Sequence, residues 1–206
     1  MRLLTIAFAT LLPLFACAAP VPPAPPSTAA AGSQKAIFAG GCFWCTESDF
    51  EKMPGVISAV SGYINGRVDR PTYEEVSAGR TGHTEAVEVV FDPNKISYPQ
   101  LVEKFWRTID PTVKDQQFCD RGSQYRSGIY PLNAEQQKVA EASKAALVNS
   151  GVLPNVFTEI VAANTFWPAE DYHQDYYKTN AVRYQYYRYG CGRDARLKQI
   201  WGDQAK

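Results

Sequence analysis

From Lys35 onward the chain alternates short apolar runs with segments of helical period, and this alternation restricts it to strands interleaved with helices, an α/β arrangement. Ala36-Ile37-Phe38-Ala39 predicts a strand that Gly40-Gly41 ends, and Phe43 to Met53 predicts a helix stopped by Pro54-Gly55. Cys42 therefore stands where strand turns into helix. Val56 to Ile64 predicts a second strand and Glu85 to Phe91 a third, with a long polar loop between them. Ser97-Tyr98-Pro99-Gln100 has the form of a capping box with proline in the first turn, and Leu101, Phe105 and Ile109 recur every four residues behind it. Ser127 to Tyr130 predicts a short strand, Asn133 to Asn149 a helix closed by Ser150-Gly151, and Val156 to Ala162 a last strand. Glu170 to Tyr189, crowded with tyrosine, predicts an irregular helical C-terminal tail that closes over the rest.

The first thirty-four residues have a different texture: Arg2 is their only charge and they hold six of the fourteen prolines. Met1-Arg2 followed by apolar Leu3 to Phe15 matches a secretory signal peptide, and the apolar stretch is too short to span a bilayer as a helix. Leu14-Phe15-Ala16-Cys17 is similar to a bacterial lipobox, in which the cysteine is acylated, while Ala16-Cys17-Ala18 also suits ordinary signal peptidase. The expected division is a signal peptide of lipoprotein type over 1–17, a Pro/Ala-rich linker over 18–34 and a folded domain over 35–206. That division implies export to the periplasm, with membrane contact only through an outer-membrane lipid anchor at Cys17.

A chain of 206 residues suffices for one substantial domain. With 45% hydrophobic and 20% charged residues it has the composition of a globular protein rather than a disordered one. Its 21 Lys plus Arg balance 21 Asp plus Glu, so no basic field attracts nucleic acid. Five cysteines are too few for a disulfide-dense scaffold but enough for a redox pair or a metal site.

The chemistry concentrates at Gly40-Gly41-Cys42-Phe43-Trp44-Cys45. A thiol at the first turn of a helix faces unpaired backbone N–H groups and the positive end of the macrodipole, both of which favour thiolate, so Cys42 is expected to be nucleophilic. Cys45, three residues on, shares nearly the same helical face. Cys-x-x-Cys is also half of a tetrahedral zinc site, yet His83, Cys119, His173 and Cys191 are scattered and supply no second close pair, so no metal is expected. Strand, Cys-x-x-Cys and helix is equally the signature of a periplasmic thiol-disulfide oxidoreductase of thioredoxin type, which stands as the alternative function.

Gly41-Cys42-Phe43-Trp44 resembles the active-site signature of the peptide methionine sulfoxide reductase A family. Further blocks similar to that family follow in order: Pro71 to Val76, Gly79 to Val87, Gly122 to Ser127 and Ala169 to Gln174, so that the resemblance covers roughly Lys35 to Ala195. It implies an α/β (α+β) fold, a two-layer sandwich with a mixed sheet and a ferredoxin-like core. It also implies reduction of methionine S-sulfoxide, free or in proteins, by thiols without a cofactor, with an external dithiol such as thioredoxin or a periplasmic equivalent as reductant.

A sulfoxide sulfur is electrophilic but its oxygen leaves poorly, so its reduction needs a soft nucleophile at sulfur and a proton donor at oxygen. Cys42 supplies the first. The resemblance makes Glu85 the acid, with Tyr73 and Tyr125 donating hydrogen bonds to the oxygen, and Asp120 a residue that orients the substrate. Glu85 opens the apolar run Ala86-Val87, which suits a carboxyl raised by burial. Phe43 and Trp44 stand beside the nucleophile to receive a methyl group and a polarisable sulfur. Attack would leave Cys42 as a sulfenic acid, which a second thiol condenses to a disulfide. Cys191, in Tyr189-Gly190-Cys191-Gly192, is the chosen resolving residue and Cys45 the alternative, with Cys119 expected to be a buried bystander.

Overall fold

Strand β1 (Gln34–Gly40) buries Ala36 to Gly40 without a break, which is why its sequence reads as a continuous apolar run and not as an alternation. The structure, a computed structural model, describes residues 32–205. After β1 come α1 (Phe43–Glu51), β2 (Val56–Ile64), α2 (Tyr73–Ser77), β3 (Thr84–Phe91) and α3 (Tyr98–Trp106). A two-residue hairpin, β4 (Gln116–Gln117) with β5 (Asp120–Arg121), precedes β6 (Ser127–Ile129), α4 (Ala134–Asn149), β7 (Glu159–Ile160) and β8 (Trp167–Pro168). Helices α5 (Tyr176–Thr179), α6 (Ala181–Gly190) and α7 (Arg193–Trp201) come last, followed by a 3-10 turn at Gly202–Gln204.

The main sheet has the order β7-β6-β1-β3-β2-β8, antiparallel throughout except for the parallel pair β6 and β7. Within it β1-α1-β2-β3-α3-β6 forms the split βαβ of a ferredoxin-like core, with β3 inserted between the two strands that α1 connects. Both edges of the sheet are two-residue strands. One face packs Phe38, Tyr63, Val87, Val89 and Phe91 against Phe50 of α1, Leu101 and Phe105 of α3 and Ala140 of α4. The other face carries Ile37, Ala39, Ile64, Ala86 and Tyr130, covered by Ala163 and Phe166 of an irregular connection. The result is the two-layer mixed-sheet sandwich that the resemblance implied.

Several expected boundaries coincide with the observed ones. Ser97 caps α3 by accepting from the Gln100 N–H while Gln100 answers to the Ser97 N–H, the capping box read from the sequence. The helix stops at Trp106, however, because the Arg107 and Thr108 amides turn back to Lys104 and Phe105, so Ile109 is buried beyond its end. The strand expected over Val156 to Ala162 is reduced to Glu159–Ile160, since the Phe157 amide is drawn to the Pro111 carbonyl instead of a ladder partner. The polar loop expected between β2 and β3 contains α2, nucleated by a capping box of Thr72 and Glu75. The expected signal peptide and nearly all of the linker, Cys17 included, lie outside the described residues. Among those described, no helix is long and apolar enough to cross a membrane.

Candidate active site

Gly41 adopts φ +84°, and a Cβ there would come within 2.5 Å of Gln117 Cβ, so glycine is required for the chain to swing from β1 into α1. Gln117 is itself fixed by two hydrogen bonds, accepting from the Asp110 N–H at 2.9 Å and donating to the Asp110 carbonyl at 2.7 Å. This turn places Cys42 at the N-cap of α1, only 7% exposed, at the mouth of a cavity of about 70 Å³. The other walls are Phe43, Trp44, Tyr73, Glu85, Asp120, Tyr125 and Tyr187. Four separate stretches of the sequence thus deliver Cys42, Glu85, Tyr73, Tyr125, Phe43, Trp44 and Asp120 to one place. A larger cavity of about 780 Å³, bounded by Lys52, Glu103 and Arg107 among others, holds none of them.

Glu85 lies on β3 opposite Tyr63 and on the same face as Val87 and Val89, beneath the start of α1. It is 2% exposed, and burial pushes its carboxyl up to about 8, partly offset by a 3.0 Å hydrogen bond that it accepts from the Phe43 N–H. That bond also corrects the expectation for Cys42. The first free amide of α1 is spent on Glu85, and burial together with the neighbouring Cys45 sulfur and the Glu85 carboxyl pushes the Cys42 thiol well above the usual thiol range. Burial thus works against a standing thiolate at Cys42. The Cys45 thiol is lowered to about 7 by hydrogen bonding with Cys42, against burial, and further by Arg193 and Arg188.

The tyrosines remain donors. Burial pushes Tyr73 up to about 12, and raises Tyr125 and Tyr187 further. Glu170 holds Tyr73 in place from behind, accepting from its backbone N–H at 2.8 Å with one oxygen and from the Tyr63 hydroxyl at 2.8 Å with the other. The indole N–H of Trp44 donates to His173 Nδ1 at 3.0 Å, which requires a neutral imidazole carrying its proton on Nε2, and burial lowers His173 in keeping with that state. Trp44 stacks on Tyr176 at 3.8 Å, and the His173 ring also packs against Phe43 and Tyr73. Gln174 closes this segment onto the sheet, accepting from the Ser61 N–H and donating to the Ser61 and Ala169 carbonyls. The tyrosine-rich tail therefore does fold over the site, as a 3-10 turn followed by α5 and α6.

Tyr187 is a wall that the sequence reading did not single out: its hydroxyl donates to Asp120, whose carboxyl burial raises and Tyr187 counteracts. The available signal was its spacing of four residues from Cys191, which puts both on one face of a helix. Arg193 was likewise missed. It is 2% exposed, donates to the Gly40 carbonyl at 3.1 Å and the Thr108 carbonyl at 2.8 Å, and lies over the Phe118 ring. It pins α7 to the strand end from which Cys42 departs.

The remaining cysteines differ from expectation in one respect. Cys119 is not a buried bystander: it is exposed and bonded to Cys191, with Cα atoms 4.9 Å apart, while Cys42 and Cys45 are free. It stands in the β4–β5 turn, next to the half-buried Asp120, because that hairpin is too short to carry it inward. Two groups of described side chains have metal-ligand spacing, and neither contains Cys42 or Cys45. In one, Cys119 and Cys191 are joined to each other; in the other, Lys178 bridges Glu51 and Asp175 at 2.6 Å each.

The family profile described as peptide methionine sulfoxide reductase matches residues 34–205. The peptide methionine sulfoxide reductase MsrA/MsrB of Vibrio cholerae serotype O1 is 51% identical over 195 residues, an alignment that covers 94% of this chain and 51% of that protein, so the chain spans about half of it. MsrA 2 of Rhizobium meliloti is 51% identical over 176 residues, covering 85% of this chain and 87% of that one, and MsrA 2 of Caulobacter vibrioides is 44% identical over 202 residues, covering 98% and 100%. Among solved structures, methionine sulfoxide reductase A of Corynebacterium diphtheriae is similar with a TM-score of 0.67 at 35% identity, over 74% of this chain and 77% of that one. Mxr1 of Saccharomyces cerevisiae in reduced form gives 0.67 at 31% identity, over 73% and 87%. A thioredoxin-type oxidoreductase is not favoured by any of these likenesses. The chain belongs to the peptide methionine sulfoxide reductase A family.

Proposed function

We propose that this protein reduces methionine S-sulfoxide, free or in proteins, to methionine by thiol chemistry. The observation that carries the reading is the meeting of Cys42 and Glu85 in one small cavity walled by Phe43 and Trp44. The methyl group of the substrate packs on the two aromatic rings, and the oxygen points to Glu85, Tyr73 and Tyr125. Cys42 sulfur attacks the sulfoxide sulfur while the protonated Glu85 hands its hydrogen to the oxygen, which would otherwise leave as an anion, and the proton that the Cys42 thiol gives up returns to the Glu85 carboxylate. Because Glu85 is held up to about 8, it is loaded with a proton at neutral pH. The step releases methionine and leaves Cys42 as a sulfenic acid, a two-electron exchange in which the oxygen passes from substrate to enzyme. Cys191, as a thiol, then condenses with it and releases water, with Cys45 the alternative partner. An external dithiol of thioredoxin type, or a periplasmic equivalent, restores the thiols.

The test is turnover of the separated S and R epimers of methionine sulfoxide by wild type, Cys42→Ser and Glu85→Gln. Activity on the S epimer alone is expected, abolished in the first variant and strongly reduced in the second. Equal reduction of both epimers overturns the assignment. Export to the periplasm with a lipid at Cys17 is a further part of this reading, supported by the charged start, the apolar Leu3 to Phe15 and the proline-rich spacer. Mass spectrometry of the mature amino terminus decides it, since an unmodified start after Ala18 is incompatible with an anchor.

A further inference from the structure

Two phenols, Tyr73 and Tyr125, wall the cavity from elements far apart in the chain: Tyr73 is the first residue of α2 and Tyr125 the last of a 3-10 turn, Ser123–Tyr125. The gap between them therefore depends on how those two elements are seated relative to each other. Helix α2 has five residues, too few to hold its own place, and its last carbonyls have no partner within the helix. One of them, the Ser77 carbonyl, accepts from the side-chain amide of Gln124 at 2.9 Å. Gln124 stands directly before Tyr125, is 7% exposed, and lies between two glycines of positive φ, Gly79 and Gly122. A Cβ at Gly122 would come within 2.3 Å of Gln124 Oε1 and one at Gly79 within 3.4 Å, so the amide fills a slot that side chains at these positions would narrow. The turn is itself braced, since Arg126, on the other side of Tyr125, donates to the Ser123 carbonyl at 2.7 Å and to Glu159 at 2.8 Å. Gln124 thus ties a braced turn to the C-terminal end of α2, while Glu170 ties the other end by accepting from the Tyr73 N–H.

We infer that Gln124 is a positioning residue for the reduction: by capping α2 from the turn that bears Tyr125, it fixes the separation of the two hydroxyls that receive the sulfoxide oxygen. The inference rests on the reading of Tyr73 and Tyr125 given above. Gln124 is not a wall of the cavity, so it acts through the phenols that it seats. Charge develops on the oxygen as the bond to sulfur breaks, and two donors hold that charge well only when both are aimed at it. Without the Gln124 amide, water can satisfy the half-buried Ser77 carbonyl, and α2 keeps its own Thr72 and Glu75 cap, so the helix persists while the gap is no longer fixed. The apolar grip of Phe43 and Trp44 on the methyl group is untouched, and the loss falls on the chemical step rather than on binding.

The experiment follows the first methionine released from reduced protein at saturating methionine S-sulfoxide, in wild type, Gln124→Met, the pair Tyr73→Phe with Tyr125→Phe, and all three together. Gln124→Met is expected to slow that release roughly 10- to 100-fold, part of the worth of the two oxygen-holding donors, while methionine itself, which has no oxygen on sulfur, inhibits as well as before. In the protein lacking both hydroxyls the same substitution is expected to change the rate less than about twofold, because no oxygen contact is left to misplace. An equal loss there, the mark of a merely structural role, overturns the inference alone, as does a wild-type rate for Gln124→Met. A wild-type rate without the two hydroxyls overturns the reading of the phenols and the inference with it. Gln124→Glu guards against a variant that folds poorly: it keeps the size of the side chain, and its carboxyl can donate to the Ser77 carbonyl only when protonated. Its rate relative to wild type is expected to climb as pH falls from 8 to 5, and a flat ratio overturns the inference.

Discussion

The backbone N–H of Phe43 donates to the Glu85 carboxylate at 3.0 Å, joining the first turn of α1 to β3 directly under the nucleophile. A helix start would ordinarily lend its amides to the thiol that caps it. Here the amide serves the acid, so Glu85 is held in place while burial keeps the Cys42 thiol raised.

For Glu85→Gln, the shape is kept but the transferable proton is lost. The rate of the first methionine release is expected to fall roughly 100- to 10,000-fold, the usual worth of a general acid. In wild type that rate should decline as pH rises through about 8, where Glu85 deprotonates, and single-turnover quenching across pH 6–10 checks both statements.

Stability should fall with rising pH for the same reason. Burial holds Glu85 up to about 8 and Glu47 up to about 7, above their ordinary range, so the folded state binds these protons more tightly than the unfolded one. The stabilisation is complete below the ordinary carboxylate range and is lost as pH rises through 7 and 8, at a limit of about 1.4 kcal/mol per pH unit for each group. Urea melts of wild type, Glu47→Gln and Glu85→Gln between pH 5 and 9 should show a flatter decline in each variant. An unchanged slope counts against the buried, protonated carboxyls.

Gly41→Ala places a methyl where Gln117 Cβ already stands, in a backbone conformation that alanine avoids. A loss of about 1–3 kcal/mol from the backbone alone is expected, with activity falling beyond what the lower Tm explains because Cys42 is displaced.

Two caps separate stability from catalysis. Ser97→Ala and Thr72→Ala each remove a side-chain acceptor at a helix start and should cost about 1 kcal/mol. Only Thr72→Ala should also lower kcat/KM, because α2 carries Tyr73 into the cavity and α3 carries nothing there. Equal kinetic effects would contradict this division.

Arg193→Leu leaves the Gly40 and Thr108 carbonyls without their donor in a buried place. A loss of about 1–3 kcal/mol is expected from chemical denaturation for each acceptor left unsatisfied.

The parts of this fold that the sequence made legible are those that local rules govern. The glycine pair before Cys42, the capping box at Ser97 and the buried run of β1 each announce themselves within six residues. Helix α7 was harder, since only Arg193, Leu197 and Trp201, one per turn, face inward, and the first of these looks like a surface residue until its two carbonyl partners are known. The site's chemistry was readable only through the resemblance, because by itself Glu85 looks like a solvated strand end. The reversal at Cys42 was not readable at all: it depends on a hydrogen bond between residues 42 positions apart. The pairing of Cys119 with Cys191, 72 residues distant, belongs to the same class of long-range fact.

The main sheet also ends, on either side, in a strand of two residues, and beyond β8 the Gln174 side chain occupies the Ser61 backbone as a further rung would. A bare ladder of amides on a sheet edge is a template for pairing with another chain. Among the described residues, the cover that β8 and Gln174 give falls on Ser61, Gly62 and Tyr63, the end of β2 that lies beside the cavity, so the sheet is closed to added strands there.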